Sequence, residues 1–165
     1  MAEGGSFEEF YTGTVGRLLG QLFPVTGDLH EAEEVVQEAF TRAAFRWSRL
    51  RDYDVPEAWV RRVAMNLAAN RARSLRRQAA ALLRLNPPLE VPPVSVEALA
   101  LAEALRTLPV RQRQVIVLHH LVDLPVEEVA RTLAMRDGTV KSLLARGRKA
   151  LAAKLGEPEE VLHQQ

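Results

Sequence analysis

Apolar residues recur along this chain at intervals of three and four and nowhere at a convincing two, which is the period of helices and not of strands. Phe7, Tyr11, Val15, Leu18 and Leu22 form one stripe and predict a first helix over about 7–23, ended by Pro24. Asp28 is placed to cap a second helix, with Glu31 three residues on as its capping-box partner. There Ala32, Val35, Val36, Ala39, Phe40 and Ala43 make one apolar face, while Glu33, Glu34, Gln37, Glu38 and Thr41 point elsewhere. Ser48 to Pro56 reads as a polar loop, closing where a proline can open a helix. The third long helix runs from about Glu57 into the eighties. It buries Trp59, Val60, Val63, Ala64 and Leu67 and turns Arg61, Arg62, Asn66, Asn70, Arg71, Arg73, Arg76 and Arg77 outward.

Pro87-Pro88 and Pro92-Pro93 then interrupt the pattern and mark a semi-rigid linker over 85–95. Helices resume over about 96–108 and again from Pro109, where Val115, Leu118, Leu121 and Val122 are expected inward. A short helix over 126–133, opened by Pro125, leads into a turn at Ala134-Met135-Arg136-Asp137-Gly138. The last helix, 139–155, repeats Val140, Leu144, Gly147 and Leu151 on its inner face and keeps Lys141, Ser142, Arg146, Arg148 and Lys149 outside. The fold class is therefore all-α: two small helical domains, 1–84 and 96–156, joined by the Pro-rich linker and followed by an acidic tail, 157–165.

Composition adds little until charge is taken by segment. The net charge of +1 conceals an acidic block, net −6 over residues 1–45, and two basic blocks, net +7 over 46–84 and +5 over 136–155. Two separate basic patches inside helical patterns point to two contacts with a polyanion, and the acidic block points to a different partner. The absence of cysteine excludes a disulfide scaffold, a thiolate zinc site and a cysteine nucleophile. No apolar run approaches the ~18 residues that span a bilayer, and no signal pattern opens the chain, so the expected compartment is the cytoplasm.

The helix, tight turn and basic helix of 125–154 have the form of a helix-turn-helix, with Ala130 small where the two helices cross. The 46–84 block mixes arginine with Trp47, Tyr53 and Trp59, the composition of a groove for single-stranded nucleic acid. Trp59 lies on the apolar stripe and reads as core, which leaves Tyr53 as the uncommitted ring. Enzymatic constellations are poor. His119 and His120 are adjacent, so their rings are expected on different helix faces, unlike the i, i+4 pair of a zinc helix. Gly13, Gly16 and Gly20 match no phosphate loop, and Glu33, Glu34 and Glu38 have no opposed acid–base or metal-ligand partner. No enzyme activity, metal or cofactor is expected.

The string Ala32-Glu33-Glu34-Val35-Val36-Gln37-Glu38-Ala39-Phe40, with Trp59-Val60-Arg61-Arg62-Val63-Ala64-Met65-Asn66 and Arg73, Arg76, Arg77 after it, resembles region 2 of bacterial sigma-70 family initiation factors. Leu108-Pro109, Arg113, Val115, Leu124-Pro125-Val126-Glu127-Glu128-Val129-Ala130 and Gly138-Thr139-Val140-Lys141-Ser142, then Arg146-Gly147-Arg148, resemble region 4. Two such domains without more are similar to the extracytoplasmic-function (ECF) group. The resemblance implies binding to core RNA polymerase and promoter DNA. Glu34, Gln37 and Glu38 would dock on the clamp coiled coil of the largest subunit, and the flap of the second largest would be a further contact. Asn66 and the 48–56 loop with Tyr53 would hold a flipped −10 base, with Arg73, Arg76 and Arg77 on phosphates. Thr139, Lys141, Ser142 and Arg146 would enter the −35 element, with Arg148 and Lys149 nearer the backbone.

Many relatives in the family are held by an anti-sigma factor, and no residue here identifies one. Leu143 and Ala145 depart from the arginine and larger side chain common at those places, and both are expected to face DNA. Two other classes stay open on the residues alone: a helix-turn-helix regulator that acts without polymerase, and a sigma-like protein that sequesters it.

Overall fold

The computed structural model describes residues 5–81 and 96–156, the side chains of 76–81 and of 98–99 excepted. The expected linker, 85–95, and the acidic tail, 157–165, lie outside the described residues. Eight α-helices stand among those described, with no strand: α1 Phe7–Thr26, α2 Leu29–Phe45, α3 Trp47–Leu50, α4 Pro56–Ala81, α5 Val96–Arg106, α6 Val110–Ile116, α7 Val126–Leu133 and α8 Asp137–Leu155. A single π-helical turn, Val117–Leu121, extends α6.

α1 does not stop at Pro24. It carries the proline inside its last turn and ends at Gly27, whose φ of 73° gives the left-handed cap, its N–H donating to Phe23 O at 2.8 Å. Continuing the helix keeps Val25 in the core, 1% exposed. Asp28 caps α2 as expected and accepts the His30 N–H at 2.9 Å. Glu31 does not complete a capping box, because its carboxylate is taken by Arg71 of α4 at 3.1 Å. The polar loop contains α3, which forms because Leu50 is buried beneath it. Pro56 opens α4.

α1, α2 and α4 pack on one another through Leu18, Leu22, Val35, Val36, Ala39, Phe40, Val60, Ala64 and Met65. The buried face of α4 is rotated from the expected one: Val63 and Leu67 are only half-buried, while Met65, Ala68 and Ala69 are inside. Alanine permits this rotation, since it lets α4 approach its neighbours closely. At the open end of α1, Trp47 stacks on Phe10 with ring centroids 4.9 Å apart and meets Phe7 edge-on at 5.6 Å. That ring is thereby committed to packing.

In the second half α6 packs against α8, and α7 crosses α8. Gly147 allows the first contact, since a Cβ there would meet Ile116 Cδ1 at 3.0 Å. Leu121, expected inward, is half-exposed, because the wider π-turn rotates less per residue and shifts its position around the axis. α7 has the expected bounds. The turn after it is shorter than expected: Ala134 takes a left-handed φ of 53°, and α8 starts at Asp137 with Gly138 already inside it.

The two halves are in contact. α1 packs on α5 and α6, and α4 on α6 and α7, so one apolar core runs through both. Gln114, 0% exposed, sits in this seam. Its Nε2 donates to Met65 O at 2.7 Å, and its Oε1 accepts from Arg111 Nη1 at 2.9 Å. Arg113 Nη1 donates to Val25 O at 2.6 Å, and Arg106 donates to Gly27 O.

Two glycine substitutions test the packing. Gly147→Val forces branches into Ile116 and should lower stability in urea by roughly 1–3 kcal/mol. Gly16→Ala adds a Cβ with nothing within 4 Å in the interior of α1, and should raise it by about 0.5–1 kcal/mol.

Candidate functional site

Three surfaces carry the residues singled out by the sequence. On α2, Glu34 and Gln37 are exposed and Glu38 is half-buried. The stripe is not a field of free carboxylates. Arg71, reaching across from α4, places Nη1 2.6 Å from Glu34 and 3.1 Å from Glu31, and Nη2 3.9 Å from Glu38. His30 stands 3.1 Å from Glu34, and Arg42 2.9 Å from Glu38. The hydrogen bond from Arg71 holds the Glu34 carboxyl below its ordinary value. Gln37 donates to Tyr11 OH at 2.9 Å, which ties the face to α1. Two turns further along the same stripe Phe45 is 87% exposed. It borders an open groove of about 340 Å³ lined by Phe7, Tyr11, Gln37, Phe40, Thr41 and Ala44.

The second surface is the loop and α4. Tyr53 is exposed, as its place in a polar loop predicts. Asn66 is half-buried on α4, and Arg73 is exposed with Nη2 donating to Asn70 Oδ1 at 3.1 Å. No hydrogen bond joins Tyr53 to Asn66 among the described residues. The side chains of Arg76 and Arg77 lie outside the described residues. Two arginines expected on this outer face are elsewhere. Arg61 has a side chain only 11% exposed and is held by Gln21 Oε1 at 3.0 Å and Glu57 at 3.6 Å. Arg71 faces α2. Trp59 is half-buried, with the Arg46 guanidinium 5.8 Å from its ring centroid. Arg111 of α6 is depressed from its ordinary value by burial and by the charge of Arg73.

The third surface is α8. Thr139, Lys141, Ser142, Arg146 and Lys149 are all exposed. Among them Ala145 is exposed too, but Leu143 is half-buried and packs on the core, contrary to expectation. Its place in the helix, three residues after Val140 and four before Gly147, sets it on the inner shoulder. Arg148 is half-buried and donates from Nε to His120 Nε2 at 3.0 Å. The two histidine rings are not on separate faces: they meet edge-on, with centroids 4.9 Å apart. Among the described residues no group of His, Asp and Glu is arranged to hold a metal ion, and no helix is long and apolar enough to cross a membrane.

Sequence reasoning missed Arg71, Phe45, Gln114 and the His120–Arg148 pair. Arg71 was within reach of it, because Glu31, Glu34 and Glu38 at i, i+3 and i+7 need a facing cation. The other partners are far apart in sequence and leave no local signal.

Residues 10–78 match the model of Sigma-70 region 2, and residues 98–151 that of Sigma-70 region 4. The chain is 31% identical to an RNA polymerase sigma-E factor of Streptomyces coelicolor over 94% of this chain and 89% of that one. The chain belongs to the ECF group of the sigma-70 family. It is a non-enzymatic initiation factor that directs RNA polymerase to promoters. It is also 30% identical to the ECF RNA polymerase sigma factor SigW of Bacillus subtilis, over 81% of this chain and 80% of that one. Its fold matches the sigma factor RpoE of Bartonella quintana, solved in complex with the anti-sigma factor NepR. The TM-score is 0.73 at 20% identity, covering 91% of this sigma factor and 96% of the other chain.

The depressed Glu34 sets an acid limit. A carboxylate whose folded value lies below the ordinary 4.5 contributes stability above that value and loses it as pH falls through the folded one. In this sigma factor the melting temperature should therefore drop below about pH 4.5. In Arg71→Gln the drop should be shallower over the same interval, as read from melting curves at stepped pH.

Proposed function

We propose that the three surfaces divide the work of initiation: the α2 stripe docks on core RNA polymerase, Tyr53 and the outer face of α4 bind the −10 element, and α8 binds the −35 element. The observation that carries this is the exposure of α8. Five polar or basic side chains stand free on one face of a helix whose opposite face is fixed by Val140, Leu144, Gly147 and Leu151. A helix held in this way and presenting Lys141, Ser142 and Arg146 suits the major groove, where base edges are distinguishable. The second-domain boundary near 96–156 and the first near 1–84 follow from the same division.

On α4, Asn66 offers an amide acceptor and donor for the edge of an extruded base, and Tyr53 an exposed ring beside which it can stack. Unstacking a base costs about a few kcal/mol. A pocket that binds only the extruded base offsets part of that cost and favours the open complex over the closed one. Arg73, with Arg76 and Arg77, supplies salt-sensitive phosphate contacts that carry no sequence information.

On α2, docking exchanges partners. Basic groups on the clamp coiled coil replace Arg71, His30 and Arg42 around Glu34 and Glu38, so the carboxylates enter the interface already desolvated in part. Phe45 extends the stripe with apolar area, as a docking surface requires at its centre. The flap of the second largest subunit meets the α5–α8 half. An anti-sigma factor, present with the Bartonella relative, is a further partner that such a chain can take.

Under this division the two halves must part. The −10 and −35 elements lie about 25 base pairs apart, roughly 85 Å along the duplex. Met65, the neighbour of Asn66, is bonded to Gln114 of α6, and α6 packs on α8. The two reading surfaces are thus a few helix diameters of about 10 Å apart. The seam through Gln114 opens when the promoter is engaged.

Transcription in vitro with purified core polymerase, followed by mapping of start sites, tests the assignment. Asn66→Ala should lower open-complex formation about 10-fold or more by permanganate footprinting while leaving closed-complex affinity nearly unchanged; equal loss of both would remove Asn66 from the pocket. Glu38→Arg should weaken association with core polymerase about 10-fold by titration, and unaltered affinity would move docking off α2.

A further inference from the structure

The π-turn puts a titratable ring where the last helix needs a fixed arginine. In it Val122 N–H reaches back to Val117 O at 3.0 Å, five residues away. His119 Nδ1 bonds Leu124 O at 2.8 Å, and the His119 ring supports His120 edge-on. The His120 ring is therefore held from one side by its neighbour and on its Nε2 edge by Arg148. To accept the Arg148 Nε–H, Nε2 must carry the lone pair, so the ring is neutral with its proton on Nδ1.

We propose that His120 is a positioning residue for Arg148, turning its guanidinium so that the two terminal amino groups face a phosphate of the −35 duplex. This rests on the assignment of α8 to that element. An arginine can meet an anion side-on, through Nε and one terminal nitrogen, or end-on, through both terminal nitrogens. With Nε–H committed to His120, the end-on fork is what remains. Arg148 lies seven residues after Lys141, on the same side of α8 but at the edge of its exposed face. Contacts at a flank go to the backbone, and those at the centre go to bases. Without the tether the long side chain would have to be ordered at the moment of binding, at the cost of its rotamer freedom.

The groups facing His120 are Arg148 from α8, His119 on its own turn and Asp123 just after it. Burial, Arg148 and His119 depress its proton affinity, and Asp123 opposes them. The net direction is below the ordinary value of 6.5, which keeps the ring an acceptor at neutral pH.

The test uses the full chain with core polymerase and one duplex recovered from a random pool by the wild-type complex. Arg148→Ala should lower affinity about 5–10-fold and reduce the slope of log affinity against log salt by about one. His120→Leu should do the same, and His120→Asn, too short to reach, should match it. His120→Gln, whose amide oxygen reaches where Nε2 does, should retain wild-type affinity and slope. In an Arg148→Ala background His120→Leu should cost nothing further.

A loss from His120→Leu that persists in the Arg148→Ala background overturns the proposal. So does a His120→Gln variant that behaves like His120→Leu, or a His120→Leu variant that binds as wild type. No effect of Arg148→Ala overturns it as well. In that event Arg146→Ala tells the two claims apart: if it weakens binding, α8 is still the −35 helix and only the arginine's role is lost.

Discussion

One buried amide joins the halves of this sigma factor. Gln114 has no exposure, so both ends of its side chain need partners, and it finds one in each half: Met65 O on α4 and Arg111 on α6. The apolar core passes around it without interruption, from Leu22 and Met65 to Val115 and Leu118. A domain of some seventy residues buries little surface alone. Sharing a core gives each half what it lacks. The same sharing keeps the outer face of α4 beside the α6–α8 unit, the arrangement that the proposed division of work requires to open.

Charge follows the same logic on α2. Read as a sequence, the first 45 residues are strongly acidic and ask for a basic partner. Folded, they have found one inside the chain. Arg71 gathers Glu31, Glu34 and Glu38, and Arg42 and His30 take the remaining edges. These pairs are part-exposed, the Arg71–Glu31 pair the most covered, and each is of small net value in water. They cost little to exchange, as the docking proposed for this surface requires.

The helices were legible because their signal is local. Apolar stripes placed α2, α4, α7 and α8, and Asp28, Pro56 and Pro125 marked the starts of the first three, while α8 begins two residues before the expected Thr139. The errors came where a tertiary contact outweighed a local preference. Pro24 would end an isolated helix, but burying Val25 carries α1 on to Gly27. Glu31 would close a capping box, but an arginine forty residues away offers it a charge. Leu121 would face inward in an α-helix, but a π-turn shifts it. The site was legible in the same measure. The exposed faces of α2 and α8 follow from periodicity, whereas Arg71 on Glu34, His120 on Arg148 and Met65 O on Gln114 come from other elements, and of these only Arg71 leaves a trace in the spacing of its carboxylate partners.

The strength of the seam sets what the proposed opening would cost. Three side chains, Arg106, Arg113 and Gln114, donate across it to main-chain carbonyls. At a net value of about 1 kcal/mol each, they contribute roughly 3 kcal/mol, to which the shared apolar contacts add. Arg111 opposes that total, since closing the seam buries it within the field of Arg73. These bonds alone would lower the apparent affinity of any partner that needs the halves apart by about 100-fold, and the apolar contacts would lower it further. Under the proposed division of work, core polymerase and promoter DNA together would have to supply that difference, and parting the halves would take Arg73 away from the charge of Arg111.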